Sequence, residues 1–245
     1  MEIKDALGLR PIAEAAKRLT DASVDAASAF LSRICLPAAE EFGLLLRDRV
    51  HAWRATNLAA IAVKAEQKLL AASLEASAKH AHPRLVGLIV DQGSWTESDE
   101  AQELWAGLLA SSCTEDGRDD SNLMFVDILG CLSISQVRVF DYACKMATID
   151  VTPAGWLNAG GPIIDLATLK GIANLEDIQR LDRELDHLRT LGILNQNSAG
   201  FNILSTDVNL TPSPLGLQMY ARCNGHRDPV AFYRQLGRLP PSGAT

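Results

Sequence analysis

Apolar and small residues recur along the first part of the chain at helical spacing. From Ile12 they fall at Ala16, Leu19, Ser23, Ala26, Phe30 and Ile34, which predicts an amphipathic helix with a small-residue face. Pro37 suits the first turn of a second helix. From there to about Ala78 the chain has no further proline, one glycine (Gly43) and many strong helix formers. An unbroken helix over that span is about 60 Å long, so a bend or a packing partner is expected. His82-Pro83 ends it, because the residue before proline avoids helix. A short helix is predicted over Pro83 to Val90, with Gly93 and Ser94 as the break. Thr96 and Asp99 then have capping-box-like spacing. They precede a helix whose Leu104, Trp105, Leu108 and Leu109 form two i, i+4 apolar pairs. Thr114 to Asn122, TEDGRDDSN, is a polar acidic loop without the spacing of an EF-hand.

The pattern changes after Cys131. Ser133 and Gln136 have capping-box spacing and open a helix with Val137, Phe140, Cys144 and Ala147 on one side. Thr148 to Pro162 reads as a loop. Its Gly160-Gly161-Pro162 lacks the lysine of a phosphate-binding loop. A short helix follows from about Asp165 to Ala173. Asn174 is expected to cap a longer one, Glu176 to Leu191, with a stripe of Ile178, Leu181, Leu185 and Leu188 that Gly192 ends. Ile193 to Gln196 and Phe201 to Leu204 flank a glycine-containing turn and read as a hairpin. Thr211-Pro212-Ser213-Pro214 launches a return helix through Leu217 and Tyr220, and Asp228-Pro229 starts one more, to about Leu236.

Together these elements predict a mainly α protein. Residues 1–130 form a helical bundle with long helices. Residues 131–223 form a winged-helix-like module with a small β-hairpin, and 224–245 a short C-terminal helix and tail. The composition agrees: 245 residues, 47% hydrophobic and 22% charged, suffice for one large or two modest cores. A net charge of −7 favours solubility and disfavours a strongly basic nucleic-acid binder. The N-terminus has no run of signal-peptide type, and no window of membrane-spanning length is free of charge. A soluble, cytoplasmic protein without a transmembrane segment is expected. The five cysteines are spread out and form no CxxC pair, which reads as buried small hydrophobes in a reducing compartment.

Candidate chemistry is sparse. His51, His80, His82, His187 and His226 form no zinc-ligand spacing, and neither metal nor cofactor is expected. No nucleophile motif is present, so the catalytic residues are unknown; a hydrolase or nuclease with a dispersed site stays open as a lesser alternative. Glu40, Glu41, Arg47 and Asp48 read as a salt-bridged helix surface or as paired carboxylates. Trp53, Arg54 and Asn57 share one helical patch, suited to a hydrogen-bonded junction or to a recognition surface. In the winged-helix-like module, Arg180, Arg183 and His187 share a face that could meet DNA phosphates. Yet Cys131 to Arg222 carries seven Lys and Arg against nine Asp and Glu, which favours a protein partner over DNA. The Ala-rich helices suggest self-association through close helix packing.

PAAEEFGLLLRDRVHAWRATNL (Pro37 to Leu58), DEAQELWAGLLA (Asp99 to Ala110) and then FVDILGCLS, in that order, resemble the bacterial abortive-infection alpha family. Its members carry a proline-led helix with a late Arg-x-x-Asn, matched by Arg54 and Asn57. An acidic-start helix follows with Leu-Trp-Ala, matched by Leu104, Trp105 and Ala106. A Leu-Ser before the next helix is matched by Leu132 and Ser133. The resemblance covers roughly residues 35–220. It implies a role in phage defence by abortive infection, through an unidentified host or phage protein, and it transfers no catalytic residue.

Overall fold

The computed structural model describes residues 21–35, 37, 49–72, 79–197, 200–201 and 207–239. The protein is mainly helical with small antiparallel sheets, and it divides into two units, Met1–Gly130 and Cys131–Thr245.

In the first unit, α1 (Asp21–Ile34), α2 (Arg49–Ala72), α3 (Pro83–Gly93), α4 (Asp99–Ser111) and α5 (Leu123–Gly130) are joined by two-residue strands. These are β1 (His80–Ala81) and β2 (Cys113–Thr114), paired antiparallel. α2 covers 49–72 of the long helix expected from Pro37 to about Ala78; residues 38–48 and 73–78 lie outside the described residues. α1 buries Ala27, Phe30, Leu31 and Ile34, whereas Ala26 is exposed. The stripe is therefore rotated from the expected Ser23–Ala26–Phe30 line. Alanines occupy so many positions that only the large side chains fix the face.

α4 is the central helix, buried at Ala101, Gln102 and Leu104 through Ser111. α2 packs on it with a face of Ala55, Leu58, Ala59, Ile61, Ala62, Ala65 and Leu69, all buried. Four alanines on that face let the two axes approach closely. Ion pairs border the helix contacts: Arg33–Glu66 at 3.0 Å joins α1 to α2, and Lys64–Asp99 at 2.5 Å and Lys68–Glu103 at 2.8 Å join α2 to α4. Each is partly open to solvent and contributes under about 1 kcal/mol. The N-cap of α4 is Ser98, whose Oγ accepts from Ala101 N, not the expected Thr96. α3 is capped by His82 Nδ1, which accepts from Arg84 N–H, with Pro83 in the first turn where its missing N–H costs nothing.

The second unit opens with α6 (Ile134–Met146), capped by the full reciprocal box of Ser133 and Gln136. The expected loop after it is instead a hairpin, β3 (Thr148–Val151) against β4 (Leu157–Gly160), in register Val151 to Leu157. Its turn closes through Thr152 N–H to Trp156 O at 2.9 Å, with Gly155 at φ +87°. β5 (Ile163–Asp165) leads into α7 (Leu166–Ala173), whose N-cap is Asp165. Asn174, expected to start the next helix, ends α7 in the left-handed region at φ 51°. Asp177 caps α8 (Ile178–Thr190) instead. Leu181, Leu185 and Leu188 are buried as the stripe predicts, while Ile178 is exposed.

After Gly192, at φ +74°, the expected pairing changes. Ile193 and Leu194 do not pair with Phe201, the one described residue of 201–204, which pairs with Val208. They run against the return segment, with Asn195 N–H to Thr211 O at 2.8 Å and Ser213 N–H to Ile193 O at 3.0 Å. The hairpin that forms is β6 (Gly200–Phe201) with β7 (Asp207–Asn209), and β5 pairs on the other side of β7, giving the order β5-β7-β6. Residues 198–199 and 202–206 lie outside the described residues. α9 (Pro214–Cys223) follows, capped by Ser213. α10 (Pro229–Gln235) packs on it: Tyr233 O–H donates to Leu217 O at 3.1 Å, and the Phe232 and Tyr220 rings meet edge to face. Arg238 then donates to the carbonyls of Cys144 and Ala147, closing the C-terminus of α6. No described helix is long and apolar enough to cross a membrane.

Candidate functional site

Helical spacing puts Trp53, Arg54 and Asn57 on one side of α2, and the structure shows what they hold. All three face the turn after α3, Asp91 to Trp95. Arg54 donates from Nε to Ser94 Oγ at 3.0 Å and from Nη2 to the Asp91 carbonyl and carboxylate, each at 3.2 Å. Asn57 is 3% exposed and its Nδ2 donates to Ser94 O at 3.0 Å. Ser94 is fully buried, and its own Oγ donates to Asp91 O at 3.1 Å. The side chains of Arg54, Asn57 and Ser94 thus satisfy carbonyls at the C-terminal end of α3, from the exposed Asp91 to the buried Ser94.

Trp95, absent from the sequence-level candidates, is the outward product of this arrangement. The Arg54 guanidinium lies 4.4 Å from its ring centroid, and the Trp53 ring meets it edge-on at 5.9 Å. The ring is nevertheless 53% exposed. Helical periodicity gave no hint of Trp95, because it sits in a turn. The available signal was its place beside Gly93-Ser94, where a break was expected. Trp105 belongs to the same region from the other side. It is buried, and its indole lies against Gly93, where an added Cβ would sit 3.4 Å from Trp105 Cδ2 and 3.3 Å from Ile61 Cδ1.

The second candidate group, Arg180, Arg183 and His187, lies on α8. Arg180 Nε is 3.4 Å from Glu184 Oε1, and Arg189 pairs with Asp186. Glu184 also accepts from Ser133 Oγ at 2.8 Å. The Gln136 oxygen is committed to Ser133 N–H in the capping box, so its NH2 group faces the ring of His187, 2.8 Å from Nδ1, and also donates to Glu184 O. In that arrangement His187 Nδ1 stands as the acceptor of the Gln136 amide. Arg183 is exposed.

The remaining candidates disperse. Glu40, Glu41, Arg47 and Asp48 lie outside the described residues. His80 Nδ1 is 3.1 Å from Arg33 O, and His82 Nδ1 caps α3. Asp116 accepts from Thr114 Oγ1 and Arg118 N–H, and the latter bond foremost holds its carboxyl below the usual range. Burial pushes the Cys113 thiol up to about 12 and that of Cys144 well above its ordinary value, so neither supplies a thiolate at neutral pH. Among the described residues no group of three or more His, Cys, Asp or Glu could hold a metal ion.

A family model described as "Abortive infection alpha" matches residues 54–210, from Arg54 of the α2 patch to the residue after β7. No curated protein and no solved structure matches the chain.

Proposed function

This chain belongs to the abortive infection alpha family, and we propose that it acts as a non-enzymatic interaction protein of a phage-defence system, in the cytoplasm. Its second unit carries the partner-recognition module. The order α6, β5, α7, α8, β6, β7 with sheet order β5-β7-β6 supports reading that unit as a winged helix with α8 in the recognition position. One observation carries the choice of a protein partner over DNA. Arg180 and Arg189 are countered by Glu184 and Asp186 on α8 itself, and the His187 ring is engaged by the Gln136 amide. A helix so balanced gains little from displacing counterions on a phosphate backbone.

The first unit supplies the scaffold. Arg54 and Asn57 act there as fold-determining residues, since both bind backbone at the end of α3. Self-association remains part of the proposal. The alanine face of α2 is covered within the protomer, so a second copy would use another surface; a monomer in light scattering would remove this part.

The test is phage plating efficiency with and without the gene, scored beside survival of the infected host. Reduced plaque formation with arrest or death of infected cells is the expected result. Equal plating and equal host survival would sink the proposal. The second reading, a DNA-binding regulator, is favoured by the position of α8. It requires retention of duplex DNA at low salt that weakens with added salt and on Arg183→Ala.

A further inference from the structure

No further inference is drawn: the strongest candidate, the tip of the β3–β4 hairpin, where Trp156 is 68% exposed within a stretch from Val151 to Ile164 that has no charged residue, is an apolar surface with nothing in the structure to show what covers it.

Discussion

Asn57→Ala isolates the contribution of the α2 patch to the fold. In the native protein the amide donates to Ser94 O at 3.0 Å, at a site where Asn57 is 3% exposed and Ser94 is fully buried. Truncation leaves that carbonyl without its donor, where water does not replace it, at a cost of about 1–3 kcal/mol. The missing amide leaves a small void worth about 1 kcal/mol more. The sum, about 2–4 kcal/mol, is a large share of the roughly 5–15 kcal/mol that stabilises a typical domain. Urea unfolding monitored by tryptophan fluorescence should show the loss. Trp53, Trp95 and Trp105 report on the first unit and Trp156 on the second. Hydrogen exchange should speed at the amides of Trp95 and Thr96, which bond Gln92 O and Gly93 O. Asn57→Asp sharpens the test. It sets a carboxylate oxygen against Ser94 O, so the proton-bound form, able to donate, is the better folded one. Burial without donors raises the folded pKa of the new carboxyl above its unfolded value of about 3.9. The variant's deficit against wild type should then shrink as pH falls through the raised value. A change below about 0.5 kcal/mol in Asn57→Ala, with unaltered exchange at Trp95 and Thr96, would refute a fold-determining role.

Gly216→Ala should destabilise the second unit by at least about 1–3 kcal/mol, because the new Cβ would stand 2.1 Å from Ile193 O; thermal unfolding measures it, and a neutral result would contradict the close approach of α9. Ser133→Ala removes both the acceptor for Gln136 N–H and the donor to Glu184, with an expected loss of about 1–2 kcal/mol in chemical denaturation. Asp165 caps α7, and the Thr168 N–H bond holds its carboxyl below the usual range. A depressed folded pKa means this contribution is present above the unfolded value of about 3.8 and is lost as pH falls through the lower folded value. Asp165→Ser should therefore flatten the acid limb of a urea-midpoint-against-pH curve, and an unchanged slope would show that the cap is not populated. Arg54→Lys keeps the charge but cannot bond Ser94 and Asp91 together while lying on Trp95. It should fold with a loss of about 1 kcal/mol in urea unfolding, and an unchanged midpoint would show that the joint contact contributes nothing.

What the sequence made legible was local. Ser-x-x-Gln at 133–136 reads as a capping box because both partners lie within one turn. Leu181, Leu185 and Leu188 read as a buried stripe because large side chains dominate that face. The Trp53–Arg54–Asn57 grouping was visible for the same reason, but its partner was not. The turn at Asp91 to Trp95 lies about 40 residues on in the chain, and nothing in its spacing points back to α2. The β3–β4 hairpin was missed because its strands are four residues long, exposed or half-exposed except at Leu157, and joined by a turn with Pro153 and Gly155. Those residues read as a loop when no partner strand is visible. Ile193-Leu194 looked like the first arm of a hairpin. Its backbone instead bonds Thr211 and Ser213, a choice set by Gly216, which lets α9 come against Ile193 O.

The two polar residues of the signature have separable duties, and this decides how the family pattern bears on function. Asn57 bonds only the buried Ser94 carbonyl among its described contacts, so its effect ends at the turn. Arg54 bonds the same turn and also lies on an exposed ring. Its guanidinium converts backbone geometry into the orientation of Trp95. Here Ser94 and Gly93 are buried while the next residue outward is not. On the proposed reading Asn57 acts through the turn alone, and Arg54 through the turn and the ring together. Loss of Asn57 should therefore cost more stability than loss of the half-exposed Trp95 ring, and equal urea midpoints for the two alanine variants would refute that division.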